Sequence, residues 1–297
     1  MTIRITFWGA RGTTACPGAD YAIFGGNTSC VELDIDGHRV VLDAGTGLRK
    51  LGAKIIDEGP RKSTTILLSH THHDHIAGLS TYRPLYHPDY RTRLVSGTSL
   101  PFGGLEQVLN GHLSEATFPV SIDEMPGESR FDDFAVGENF RLGSDIRVIT
   151  RPLAHKGGAT GYRIEHGGRS LCYVTDTEHS PGRMDRNVLE LIKDADLVIY
   201  DSTYTDEEFG NYAGWGHSTW QEGIRLCQKA DAKWLMIFHH DPDKDDRQMG
   251  KIAKLANDSW PYALVAREGQ SFDLDVLVGL KMDQETSPRQ ASAAAFS

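Results

Sequence analysis

The stretch "SHTHHDHIAGL" places four histidines and an aspartate within the six residues His70 to His75, in a chain with only 13 histidines. Imidazole nitrogens and a carboxylate converging from one short segment are the donors of a transition-metal site, whereas Mg²⁺ or Ca²⁺ would call mostly for oxygen ligands. The apolar run "TILLS" predicts a buried strand that delivers His70 at its end. Asp74 and His75 open "HIAGL", which is predicted as the first turn of a helix. A strand end, a tight loop and a helix start can aim His70, His72, Asp74 and His75 at one place. Four donors at these spacings split into two sets, so a pair of ions about 3.5 to 4 Å apart is expected, with further ligands from elsewhere.

Later strand ends offer those ligands: His155 in "RPLAHKGG", Asp176 in "YVTDTEH", and His239 or His240 in "LMIFHHDP". At this point the chain resembles the metallo-β-lactamase superfamily, whose H-x-H-x-D-H motif stands here as His70, His72, Asp74 and His75. The resemblance runs to about residue 275 and implies an α/β fold, the αββα four-layer sandwich, with two divalent metal ions at one edge of its sheets. Zinc is the expected ion, and the same donors suit manganese or iron. The resemblance further implies that His70, His72 and His155 hold the first ion, that Asp74, His75 and the late histidine hold the second, and that Asp176 bridges them. His239 is preferred over His240 because it directly follows an apolar strand, as the family's Thr-His does. His73 falls at the variable motif position and is assigned a structural or substrate-facing role. Asp43 in "VVLDAGTG" matches the family's strand-end aspartate, which orients a ligand imidazole and is not itself a ligand.

Within the superfamily the same ion pair attacks β-lactams, lactones, thioesters, phosphodiesters and, with iron, O₂, so other residues must name the substrate. The iron-flavin branch typically has glutamate where this chain has His72, which argues against redox chemistry. "LVIYDSTYTDEEF" followed by "GWGHSTWQEG" resembles the H-E-A-T and H-S-T segments of the tRNA-processing phosphodiesterases and the related cyclic phosphodiesterases. Asp201 stands at the glutamate position and His217 at the histidine. A carboxylate on one ring nitrogen keeps the other available as a general acid for a leaving alkoxide, while the ion pair would supply hydroxide and spread the phosphorane charge. The departure is Tyr200-Asp201 in place of His-Glu, which shortens the acid. A structural reading is also open, with Asp201 capping a turn and His217 capping the next helix beside Ser218 and Thr219.

The opening segment "FWGARGTTACPGADYAIFGGNTSCVEL" is similar to that of a bacterial subgroup near the phosphonate-pathway cyclic phosphodiesterases. Arg11, Asn27, Thr28 and Ser29 could donate hydrogen bonds at the site rim, or could simply pack a glycine turn. The expectation is a dinuclear metal-dependent phosphodiesterase for a small or cyclic diester, with Asp74, Asp201 and His217 carrying catalysis. The alternative is a carbonyl hydrolase of lactones, thioesters or lactams, which would need no Asp201/His217 pair. A non-catalytic sensor is a third reading, opposed by the filled ligand positions.

The elements that must position these residues are readable in outline. "RITFWGA", "SCVELDI", "HRVVLDAG" and "STTILLSH" predict strands, so the first third is expected to be mostly sheet. Residues 80–145 read as a long irregular insertion that roofs the pocket, with His112 and a possible helix in "GGLEQVLNGHL". "DIRVITRPLAH", "TGYRIEHGG" and "RSLCYVTDT" predict strands, the last two a hairpin across "HGG". "NVLELIKDAD" and "HSTWQEGIRLCQKAD" predict helices that precede the strands "LVIYDSTY" and "KWLMIFHH". One domain over 1–282 is expected, with a disordered tail at 283–297.

At 297 residues and 39% hydrophobic content, the chain is large enough for such a core, and no apolar run approaches a membrane span. The four scattered cysteines lack C-x-x-C spacing and, with no export-like start, predict free thiols in the cytoplasm. The formal charge of −10 disfavours a long nucleic acid as partner, which would call for a basic face. Oligomeric state is not written in the sequence, and a homodimer is the commonest arrangement.

Overall fold

The computed structural model describes residues 2–60 and 63–286. The first sheet contains β1 (Ile3–Gly9), β2 (Cys30–Ile35), β3 (His38–Leu42), β4 (Thr64–Leu68), β5 (Arg91–Ser96), β6 (Glu128–Asp133) and β14 (Ser271–Asp273), in the order β14-β1-β2-β3-β4-β5-β6. The second contains β7 (Phe140–Leu142), β8 (Ile146–Leu153), β9 (Ala159–His166), β10 (Arg169–Val174), β11 (Leu197–Asp201), β12 (Leu235–Phe238) and β13 (Ala263–Val265), in the order β13-β12-β11-β10-β9-β8-β7. The expected hairpin joins β9 to β10 antiparallel, turning at Gly167 and Gly168 with φ of 57° and 77°. Among the described residues no helix is long and apolar enough to cross a membrane.

Central strands are apolar on both faces, which sandwiches them between two cores. In β4, Leu67 faces the other sheet with Phe7, Tyr162, Ile199 and Phe238, while Ile66 and Leu68 face outward. Those two meet Leu48, Leu51 and Ile55 of α1 (Leu48–Glu58), and Leu105 and Leu109 of α3 (Leu105–His112) share that outer layer. In β11, Leu197 and Ile199 point inward, whereas Val198 and Tyr200 pack beneath α4 (Arg186–Ile192), α6 (Trp220–Lys229) and α7 (Asp246–Ser259). Each buried aliphatic or aromatic side chain contributes about 1.5–3 kcal/mol, so this strict two-face alternation sets the layers. The expected αββα sandwich is the fold that forms.

Three sequence expectations differ from the structure. Residues 80–145 are not irregular throughout: β5 and β6 run parallel to β4 and complete the first sheet. The edge strand β6, "ESRFDD", lacks apolar alternation because its side chains form ion pairs along the edge, Arg91 with Glu128 at 2.6 Å among them. Helices α1 and α7 went unpredicted; α1 has its apolar stripe, but Gly52 interrupts it. The supposed tail is helical at its start, since α8 (Leu274–Thr286) runs through 283–286, and the rest of it lies outside the described residues.

Parallel strands point their C-terminal ends one way, and β8 shares that direction through β9. The residues that follow β3, β4, β8, β10 and β12, with the end of β11, therefore gather at one edge, where α/β sheets bind ligands.

Candidate metal centre

Chain direction at this edge is controlled by left-handed backbone. Asp43, Asp176 and His239, each just beyond a strand, have φ of 60°, 54° and 61°, and Thr13 on the loop after β1 has 61°. Such conformations cost non-glycine residues about 1–3 kcal/mol and persist only when the surroundings impose them. The short helix α2 (His73–Ile76) follows His72 directly and turns Asp74 and His75 inward, as the sequence predicted.

Asp176 lies at the centre, and its two oxygens face different sets. Oδ1 is 3.9 Å from His70 Nε2 and 3.7 Å from His155 Nε2, and His155 Nε2 is 3.1 Å from His72 Nδ1. Oδ2 is 3.1 Å from His75 Nε2 and 3.3 Å from His239 Nε2, which are in turn 3.2 and 3.4 Å from Asp74 Oδ2. The Nε2 atoms of His70, His75 and His239 are buried without a hydrogen-bond partner among the described residues. Leaving three such nitrogens unsatisfied would cost about 1–3 kcal/mol each, and cations held between them and the carboxylates remove that cost. The donor set therefore fits divalent metal ions.

The electrostatics agree with that fit. Burial alone would raise the Asp74 and Asp176 carboxyls, but the surrounding imidazoles hold both well below the usual carboxylate range. Burial and the neighbouring His75 push His70 well below an ordinary histidine. Ionised carboxylates and neutral imidazole are the forms that ligate. His75 goes the other way: burial lowers it, but Asp74, Asp176 and Asp43 raise it strongly, so positive charge is favoured at its Nε2.

Further contacts fix which nitrogen faces the centre. His75 Nδ1 donates to Asp43 Oδ2 at 2.7 Å, and the same carboxylate accepts from Ser69 N, Ser69 Oγ and Tyr173 OH. His155 Nδ1 donates to the Gly216 carbonyl at 2.9 Å, and His239 Nδ1 lies 3.0 Å from Thr203 Oγ1. Thr13 N donates to Asp74 Oδ2 at 2.8 Å. Sequence reasoning assigned Asp43 but missed Ser69, Tyr173, Thr203 and the Thr13 amide. Thr203 lies inside the "DSTY" segment already singled out, and that was its only signal.

His217 Nδ1 donates to Asp201 Oδ2 at 2.9 Å, while Asp201 Oδ1 accepts from the Thr203 hydroxyl at 2.8 Å. The His217 ring stacks on His239 with centroids 4.9 Å apart and lies 5.6 Å from that of His155, so it borders both sets. Burial lowers its pKa, but Asp201, helped by Asp176 and Asp74, raises it to about 9. Thr219, not His217, caps α6 by accepting from Glu222 N. The capping alternative for His217 is therefore not what forms.

Several expected rim residues are elsewhere. Arg11 is fully buried and donates to the carbonyls of Gly25, Asp241 and Lys244. Asn27 Nδ2 donates to Glu268, Thr28 exchanges hydrogen bonds with Thr46, and Ser29 is buried, so the packing reading holds for this segment. His240 turns away, its Nε2 donating to the Ala266 carbonyl at 2.9 Å. His73 is exposed, its ring 5.5 Å from that of His112 at the end of α3.

The family model described as "Beta-lactamase superfamily domain" matches residues 38–240, more than half of the chain. The chain is 24% identical over 298 residues to Ribonuclease Z of Gemmatimonas aurantiaca, covering 83% of this chain and 90% of that one. It is 26% identical over 283 residues to Ribonuclease Z of Haloferax volcanii, covering 80% and 84%. Among solved structures, the metallo-β-lactamase fold protein YhfI from Bacillus subtilis is similar with a TM-score of 0.67 at 19% identity, covering 92% of this chain and 100% of that one. A diphosphatase of the PhnP family is similar with a TM-score of 0.64 at 20% identity, covering 91% and 97%, and the short form of human tRNase Z with 0.62 at 19%, covering 91% and 98%. At these identities the structural likenesses carry the fold, and the family match carries membership: the chain belongs to the β-lactamase superfamily.

Proposed function

We propose that this protein is a metal-dependent hydrolase of the phosphodiesterase type, with two ions held by the residues gathered around Asp176. His70, His72 and His155 hold one, Asp74, His75 and His239 the other, and Asp176 spans both. Zinc is the proposed ion, and manganese or iron suits the same donors. When bound, the pair supplies Lewis acidity and neutralises charge on the phosphoryl oxygens.

The observation that carries the reading is the 2.9 Å pair of His217 and Asp201 beside both ligand sets. Asp201 holds the proton on Nδ1 and favours the imidazolium, which leaves Nε2 to deliver a proton to the leaving alkoxide oxygen. An alkoxide leaving from a phosphodiester needs that proton. Asp74 is held ionised, and the Thr13 amide fixes its orientation.

The net charge of −10 argued against a long nucleic acid, but relatives matching most of this chain carry the name Ribonuclease Z, which sets that exclusion aside. Small or cyclic diesters and RNA ends present the same bond, and both belong in the assay. A cytoplasmic setting and a homodimer accompany the proposal; the four free, buried cysteines suit a reducing compartment.

The test is turnover of bis(p-nitrophenyl) phosphate, a lactone and a thioester by protein reconstituted separately with Zn²⁺ and Mn²⁺. His217→Ala is expected to lower kcat by about 10²–10⁴-fold for a diester with an alkoxide leaving group, such as a 2′,3′-cyclic nucleotide assayed alongside, and much less for bis(p-nitrophenyl) phosphate, whose nitrophenolate leaves without a proton. Carbonyl turnover indifferent to that substitution, without phosphodiester turnover, would instead establish the carbonyl-hydrolase reading.

A further inference from the structure

Trp215 lies on the loop between α5 (Asp206–Phe209) and α6, two residues before His217, and is 66% exposed. The loop that presents it is firmly held. The Glu178 carboxylate accepts from the backbone N–H groups of Gly214 at 2.9 Å and Gly216 at 2.7 Å, and these glycines have φ of 89° and 88°. Because the Gly216 carbonyl accepts from His155, the indole is anchored between a metal-facing histidine and the proton donor.

The indole meets Tyr212 perpendicularly with centroids 5.7 Å apart, Tyr212 stacks on Tyr204 at 4.3 Å, and Tyr204 stands edge-on to His217 at 6.0 Å. A perpendicular contact covers an edge or one face of a ring, which leaves at least one indole face open. The Cα atoms of Trp215 and His217, two residues apart, are separated by about 7 Å at most, so the indole is carried on the same short stretch of backbone as the proton donor. Next to His155 in the chain, the exposed Lys156 forms no ion pair among the described residues.

We infer that Trp215 is a stacking platform for a nucleobase flanking the scissile phosphodiester, with Lys156 meeting the diester's charge. This rests on the phosphodiesterase reading above and narrows its substrate class to nucleotides. Base stacking on an aromatic side chain is worth roughly 5- to 150-fold in affinity.

Thymidine 5′-(p-nitrophenyl phosphate) and methyl p-nitrophenyl phosphate share a leaving group, and only the first carries a base. On metal-reconstituted protein, Trp215→Ala should raise KM for the thymidine diester roughly 5- to 150-fold with kcat little changed, and leave the methyl diester as it was. Trp215→Phe should recover most of the loss, and Lys156→Ala should raise KM for both diesters alike. Calorimetric binding of thymidine 5′-monophosphate reads the platform without turnover, and its affinity should fall by the same factor in Trp215→Ala. If the monophosphate binds through Trp215 while neither diester is hydrolysed, the phosphodiesterase reading fails and the platform stands. If Trp215→Ala binds the monophosphate as the wild type does, if the wild type does not bind it, or if both diesters suffer alike, the platform is overturned.

Discussion

Asp176 is the residue on which both halves of the centre depend, because one oxygen faces His70 and His155 and the other faces His75 and His239. Asp176→Ala should bring bound metal below two ions per chain, counted by plasma mass spectrometry, and abolish hydrolysis; two retained ions with normal turnover would end the bridging assignment. The seven proposed ligands were legible because the residues of a short motif and of strand ends carry their chemistry in their names and spacing. Thr203 and Ser69 were not, since a hydroxyl placed near an imidazole depends on where two strands stop. Arg11 was misleading for a related reason: a guanidinium suits phosphate in any sequence, and only the fold surrounds this one with the carbonyls of Gly25, Asp241 and Lys244.

The loop from α5 to α6 shows how an element can govern a ligand it does not contain. Gly216 sits at φ 88° with its carbonyl on His155 Nδ1, and a Cβ there would strike the His155 ring. Gly216→Ala should therefore cost about 1–2 kcal/mol through its left-handed backbone and also displace His155. The expected result is a lower melting temperature together with release of one of two ions at a lower chelator concentration; unchanged chelator titration would mean that the loop does not hold His155. Among the elements, the buried strands were the most legible, because two apolar faces leave a continuous signal in "TTILL" and "LVIY". Edge strand β6 left none, since its partners are charges along the sheet rim.

For the molecule as a whole, acid sensitivity is built in at a buried histidine that adjoins the metal set but turns away from it. Burial, with Arg11 close by, lowers the His240 imidazole to about 3. The unfolded chain protonates it below about 6.5 and the folded chain does not, so its contribution is complete above that pH and falls by about 1.4 kcal/mol per pH unit toward 3. His240→Gln can still donate to the Ala266 carbonyl, and it should flatten the loss of melting temperature between pH 7 and 5 in metal-free protein; equal slopes would refute the assignment. By itself the sequence determined the donors, their order and the layered α/β pattern, because residue type, spacing and two-residue periodicity are local. The tertiary structure decided which of the adjacent His239 and His240 turns toward the centre, that residues 80–145 complete a sheet, and that Arg11 is buried structure. Those outcomes rest on φ at a strand end and on partners as many as 233 positions away, and neither is encoded in any short stretch of chain.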